Sequence, residues 1–263
     1  MSTTLENPRP LHLRQPRLPV PLMQGVIDRR LLVNFRCDPD TVARLLPEPF
    51  RPQLVGGFAI AGICLLRLGE LRPALLPKRI GLTSENAAHR IAVEWNEAGV
   101  AHAGVFIPRR DTNSRLNRLA GGRLFPGVHH AATFRTWETG NRFKLELRAD
   151  DGQTFVRVLA RITDALPAAS IFPTLDAAAE FFRQGAVGWS ARVTPGEFDG
   201  LELNCASWHM EPLAVERVES SFFDDPTRFP RGTAVLDSAL LMRGVPHTWQ
   251  SRGRMNCSND RRL

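Results

Sequence analysis

The chain has 263 residues, with 34 Lys and Arg against 27 Asp and Glu and a formal charge of +7. At 43% hydrophobic and 23% charged residues its composition is that of an ordinary globular protein, which excludes a disordered chain. The length suits one large domain or two small ones, and either can bury a sizeable core.

No apolar stretch approaches the roughly 18 residues of a membrane span. The first 22 residues are Pro-rich and lack the continuous apolar segment of a signal peptide. No membrane association and a cytoplasmic location are therefore expected. Only two basic residues are lysine, Lys78 and Lys144, and tyrosine is absent. The arginines are spread along the chain with no nucleic-acid-binding motif beside them, so no nucleic-acid partner is expected. Cys37, Cys64, Cys205 and Cys257 form no C-x-x-C pair and are expected as reduced structural thiols.

In chain order, Pro8, Pro10, Pro16, Pro19 and Pro21 make residues 1–22 an extended surface arm. A strand is expected at 30–37, followed by a short helix capped by Asp38, with Pro39 at its first position and Pro47 ending it after Leu46. Gly56 to Leu66 reads as a buried strand, part of a run over 57–69. His89, Ile91, Val93 and Trp95 then alternate with Arg90 and Glu94. A strand at 101–107 and a helix from about Asn113 to Leu119 lead to a strand at 131–138. Phe143, Leu145 and Leu147 alternate with charged residues, and Ala149-Asp150-Asp151-Gly152 turns into Val156, Val158, Ala160 and Ile162 as an antiparallel hairpin. Thr174 caps a helix closed by Gly185. Strands at 189–198 and 202–216 follow, with a polar tail over 251–263. With no linker or repeat, residues 23–250 read as one domain, α+β but mainly β, with antiparallel strands forming a barrel or sandwich.

Four stretches carry a resemblance. Leu31 to Phe50 joins a strand to a capped helix and then Leu46-Pro47-Glu48-Pro49. Gly81-Leu82-Thr83-Ser84-Glu85-Asn86 comes next, then Gly121 to His130, and finally Leu236 to Arg243 with Val245-Pro246-His247-Thr248-Trp249. In this order they are similar to the acetoacetate decarboxylase-like superfamily, over roughly residues 25–250, and to an uncharacterised branch of it. The resemblance implies a cone- or barrel-shaped, mostly antiparallel sheet around a central cavity, a carboxylate or keto acid as small-molecule partner, and a homo-oligomer. It implies no cofactor, since the decarboxylase uses paired lysines, one forming a Schiff base with the keto acid. Here Gly127-Val128-His129-His130 stands in their place. An imidazole cannot form an imine with a ketone, so Schiff-base decarboxylation is not expected. What remains is acid–base chemistry of the lyase or isomerase kind beside a carbonyl, or a non-catalytic binding module, or a structural or partner-binding role.

The resemblance puts Glu85 where the family keeps an acid, as general acid/base or as partner to an arginine. His129 and His130, adjacent on a strand, point to opposite faces, so at most one enters a cavity. An inward imidazole there serves as acid/base or carboxylate ligand. Arg36, Arg90 and Arg123 lie in or beside the matched stretches and suit a bidentate carboxylate contact. His89 competes with Arg90, because alternation lets only one of them face inward. A metal would need His89 or His102 with Glu85, and none is expected. Asp237 and His247, with Trp208 and Trp249, read as structural. G-x-S-x-G, Walker, H-E-x-x-H and G-x-G-x-x-G motifs are absent, removing the commonest hydrolase and nucleotide readings.

Overall fold

The structure, a computed structural model, describes residues 12–14, 21–97, 99–120, 127–192 and 194–256. Its strands are β1 His12–Arg14, β2 Met23–Cys37, β3 Arg51–Pro52, β4 Leu54–Val55, β5 Phe58–Pro73, β6 Leu82–Glu97 and β7 Val100–Thr112. They continue with β8 His129–Thr139, β9 Arg142–Ala149, β10 Phe155–Ile162, β11 Val187–Ala191, β12 Glu197–Cys205, β13 Glu211–Ser220 and β14 Ala234–Asn256. The α-helices are α1 Pro39–Ala43, α2 Arg115–Ala120 and α3 Leu175–Gln184.

Helix starts follow their caps. The Asp38 carboxylate accepts from the Thr41 amide ahead of Pro39, and Thr174 Oγ1 accepts from the Ala177 amide at 3.1 Å. The expected hairpin is present, with β9 and β10 paired from Arg148–Phe155 to Arg142–Arg161. The strand expected over 189–198 is two strands, β11 and β12, joined by a turn, and that over 202–216 likewise divides into β12 and β13. β14 runs on through Ser251–Asn256, the start of the expected tail, because β12 pairs with it there. Within the expected extended arm, His12–Arg14 form a strand, β1, which pairs with Arg254–Asn256.

One sheet contains every strand, and five long ones, β14-β2-β5-β6-β7, form its backbone. At both ends of this set a strand has two sets of neighbours. β7 pairs in parallel with β11 through Val105 and Phe106, and with β8 through Arg110–Thr112. β14 pairs with β13 through Ala239–Leu241, and with β12 from His247 onward. The sheet therefore returns on itself by two routes, β8-β9-β10-β13 and β11-β12. It is a cone-like mixed sheet, with two parallel pairings among antiparallel ones.

Both faces of the shared strands are consequently buried. Leu31, Val33, Ala61, Ile63, Leu65, Ala87, Ile91 and Val93 join the hairpin's Leu145, Leu147, Val156 and Val158 in a first core. Leu32, Ile60, Cys64, Leu68, Ala92, Leu240 and Met242 join Ala178 and Phe182 of α3 in a second. A strand covered on both sides has no reason to alternate, which accounts for the unbroken apolar run Ala59 to Leu66.

Among several register shifts in the sheet, those at Asp28 and in β7 decide which arginines reach the second face. Ile27 opposes Leu68 and Arg29 opposes Arg67, so Asp28 is an extra residue in β2. His89 opposes Arg109 and Ile91 opposes Phe106, so β7 carries an extra residue at Ile107–Pro108. A bulge of this kind re-aims every side chain beyond it.

Candidate active site

The first face ends in a balanced cluster. Glu85 accepts from Arg29 Nη2 at 2.6 Å and from Arg67 Nε at 2.7 Å. Glu138 takes the other Arg29 nitrogen and approaches Arg67 Nη1 at 3.0 Å. Arg67 Nη2 adds a bond to Thr136 Oγ1 at 2.9 Å. Arg29 is only 1% exposed, a burial that a guanidinium tolerates when carboxylates surround it. Burial opposes the charge on Arg67, yet Glu85 and Glu138 raise its pKa above the usual value. Two cations and two anions meet here, and Glu85 Oε1 and Oε2 are both engaged.

The second face is different. Cross-strand partners share a face, so Arg30 lies beside Leu66 and Asn86, while Arg110 lies beside Ala88 and Cys64. Arg90 projects from the same face two residues beyond Ala88 along β6, opposite Gly62. None of these three arginines has a carboxylate within ion-pair distance among the described residues. Arg30 lies over the Trp208 ring at 5.3 Å and leaves a buried Nη1 without a partner. Arg90, 5% exposed, donates to Asn34 Oδ1 and stacks on Phe182 at 4.6 Å, with Nε unpartnered. Arg110 Nε donates to Ser190 Oγ at 3.0 Å. Burial lowers the pKa of Arg90 and of Arg110 to about 10.

Arg110 borders a cavity of about 70 Å³. Cys64 and Leu66 of β5, Asn86 and Ala88 of β6, His129 of β8 and Trp249 of β14 share its wall. One water needs about 10–15 Å³ on this measure, so the space suits a molecule of about five or six heavy atoms. His129 Nδ1 stands 3.1 Å from the Gly127 carbonyl. A carbonyl only accepts, so Nδ1 carries the proton and Nε2 keeps its lone pair. Burial, aided by the Arg110 charge, lowers the His129 pKa to about 3, which keeps the ring neutral. Gly127 makes this approach possible: its φ is +77°, and a Cβ there would lie 2.7 Å from Ser190 Cβ and 3.2 Å from Arg110 Nε.

The other sequence candidates occupy separate places. Glu85 is absent from the cavity wall, where its neighbour Asn86 stands instead, so the structure does not bring Glu85 and His129 together. His130 Nδ1 faces Asp151 at 3.2 Å, and Asp151 shares Arg109 with buried Asp111. His89 is buried in the first core against Phe222 at 4.8 Å with both nitrogens unpartnered, and burial lowers its pKa to about 3. The choice between His89 and Arg90 dissolves, because both faces of β6 are interior and neither residue is solvated. Arg36 donates to the Ala169 carbonyl and approaches Asp237 at 3.5 Å, away from the cavity. Arg123 lies outside the described residues.

Asp237 accepts from Ser170 Oγ and the Ile171 amide. His247 is buried edge-on to Trp249 at 4.9 Å, and burial lowers its pKa to about 4. Among the described residues no three His, Cys, Asp or Glu gather as a metal site. No helix is long and apolar enough to cross a membrane.

Sequence reasoning missed Arg110 and Arg30. Pro108, which cannot donate to a ladder, was the available sign that alternation breaks just before Arg109-Arg110.

No family model and no curated protein matches the sequence. Solved structures do match in shape. An acetoacetate decarboxylase from Legionella pneumophila superposes with a TM-score of 0.59 at 10% identity, covering 96% of this chain and 92% of that one. The enduracididine biosynthesis enzyme MppR gives 0.55 at 14% identity, covering 92% and 89%, and it has also been solved with pyruvate. An acetoacetate decarboxylase-like enzyme from Sphingomonas wittichii gives 0.53 at 13% identity, covering 91% and 92%. Near-complete coverage in both directions extends the likeness to the whole doubly closed sheet, and the chain has the acetoacetate decarboxylase-like fold.

Proposed function

We propose that this chain binds a short organic acid or keto acid in the cavity beside Arg110 and His129, and handles it without an amine. The observation that carries the reading is a guanidinium with no carboxylate partner on the wall of a small, mainly apolar space. A carboxylate ligand supplies the missing anion through a charge-assisted, bidentate contact. The volume limits the ligand to a short chain. His129 Nε2, neutral and unprotonated, accepts a hydrogen bond from a hydroxyl or takes a proton next to the ligand carbonyl.

Neither lysine supports imine chemistry at this place. The Lys78 side chain is 77% exposed, and that of Lys144 is 45% exposed and lies over Trp137. MppR, of similar fold, has been solved with pyruvate, a molecule of the proposed size class. Saturation of Glu85 by Arg29 and Arg67 favours a second reading, a binding module that keeps the cavity and has no catalytic carboxylate.

The test is thermal unfolding with acetate, pyruvate, acetoacetate and neutral analogues, with borohydride trapping and intact mass. A ligand that binds only the folded state raises apparent stability by RT ln(1 + [L]/Kd). We expect carboxylates to stabilise the wild type and not Arg110→Gln, with no borohydride-fixed adduct. An adduct would overturn the amine-free reading. Recovery of the stabilising acid unchanged after long incubation would select the binding module over the enzyme.

A further inference from the structure

The same cavity holds a thiol, and its surroundings differ from those of the other described cysteines. Cys64, Ala88 and Arg110 are consecutive cross-strand partners on β5, β6 and β7. Two strand spacings put the Cα atoms of Cys64 and Arg110 about 10 Å apart, with only the Ala88 methyl between them. All three line the cavity, with His129. Burial pulls Arg90 and Arg110 down, and in both cases Cys64 is the leading group acting the other way. Arg90, 5% exposed with an unpartnered Nε, lies off this wall, which holds Arg110 without an ion-pair partner and Asp111 already paired to Arg109. Cys37, by contrast, lies in the first core, where burial pushes its thiol up to about 12. Cys205 is outside the cavity wall.

We infer that Cys64 is the nucleophile of this cavity and that its ligand is a short 2-oxo acid, held by its carboxylate on Arg110 with its carbonyl carbon against Cys64 Sγ. This rests on the carboxylate reading above and names the reacting group. In the step, sulfur forms a bond to the carbonyl carbon as the C=O π pair moves to oxygen. The thiol proton passes to that oxygen through His129 Nε2. The product is a neutral thiohemiketal, nothing is oxidised or reduced, and the reverse step releases the acid unchanged.

The experiment compares iodoacetate with its neutral isostere iodoacetamide, locating the label by peptide mass. In each reagent sulfur displaces iodide, and only iodoacetate has a carboxylate for Arg110. We expect iodoacetate to label Cys64 about tenfold faster or more, the scale of one charge-assisted contact. Arg110→Gln should level the two rates, and excess pyruvate should protect. Pyruvate labelled with ¹³C at its carbonyl should show a bound tetrahedral carbon in the wild type but not in Cys64→Ser or Cys64→Ala, with thermal unfolding used to establish that each variant is folded.

If carboxylates stabilise the protein while Cys64 shows no iodoacetate preference, the thiol assignment falls and the carboxylate site stands. Labelling without a tetrahedral pyruvate carbon overturns the covalent step. If no carboxylate stabilises the protein and Cys64 stays unlabelled, both readings fall together.

Discussion

Arg29 and Arg30 are adjacent in sequence and have opposite surroundings. Arg29 enters the first face and meets Glu85 and Glu138, while Arg30 enters the second and meets an indole. Arg109 and Arg110 repeat the pattern, the first held by Asp111 and Asp151, the second on a cavity wall with a serine. In both pairs one arginine belongs to a neutralised network and its neighbour to a site short of negative charge. A buried cation whose counter-ion is built in stabilises the fold; on the proposed reading, Arg110, which has none, takes it from a ligand. The difference teaches where stability and binding reside in this sheet, and it can be attacked from either side.

The largest effect should come from the balanced face. Glu85→Ala leaves buried Arg29 with Glu138 alone, and removing one partner of a buried pair costs about 3–5 kcal/mol. Each kcal/mol shifts Tm by roughly 2–4 °C in a chain of this size, so calorimetry should show a fall of about 10 °C. A fall of only a degree or two would mean that water already reaches the cluster.

Arg110→Met tests the other side. Unfolding should be unchanged or raised, because an unpaired cation leaves a low-dielectric site, as happens when function-bearing groups are replaced. Carboxylate affinity should drop about 10- to 100-fold, the scale of about 1.5–3 kcal/mol for a hydrogen bond to a charged group. Loss of stability with binding retained would reverse the assignment of the two faces.

Each face also holds one fully buried imidazole, His89 on the first and His247 on the second, with pKa lowered to about 3 and about 4. Their unfolded value is about 6.5. Below it the unfolded chain takes up protons that the folded chain refuses, so stability falls with falling pH, from about 6.5 down to those folded values. Each contributes a slope of about 1.4 kcal/mol per pH unit. In urea titrations between pH 6 and 4.5, His89→Phe should remove its share whether or not a carboxylate is bound. An unchanged slope would mean that His89 finds a partner on protonation.

The smallest effect concerns the helix over the second face. Thr174→Ala removes the cap of α3, at about 1 kcal/mol. Phe182 of α3 stacks on Arg90, which lies off the cavity wall, so carboxylate binding should be unchanged. Weaker binding after loss of the cap would tie α3 to the site.

Much of this architecture was legible in the sequence. Period-two patterning marked β9 and β10, caps marked α1 and α3, and the matched stretches pointed to the fold. Glu85, His129 and the sense of an arginine site were legible only through the resemblance. The bulges at Asp28 and at Ile107–Pro108 were not legible, since an extra residue leaves composition and hydropathy untouched while exchanging the faces of all that follows. That is why Arg30 and Arg110 escaped notice. The contest between His89 and Arg90 rested on a sheet with one dry side, and this sheet has two. β14 was missed as a strand because its 23 residues, interrupted by Gly244, Pro246 and Gly253, show no sustained period-two run.

β14 has a consequence for how the chain reaches its native state. It follows every other strand in sequence, yet it supplies the seam of both closures, to β13 and to β12, and also holds β2 and β1. Earlier hairpins can form while the ring stays open at the same place on either route. The two cores are thus locked by one late event, and native-state hydrogen exchange should find their amides opening together rather than as separate units.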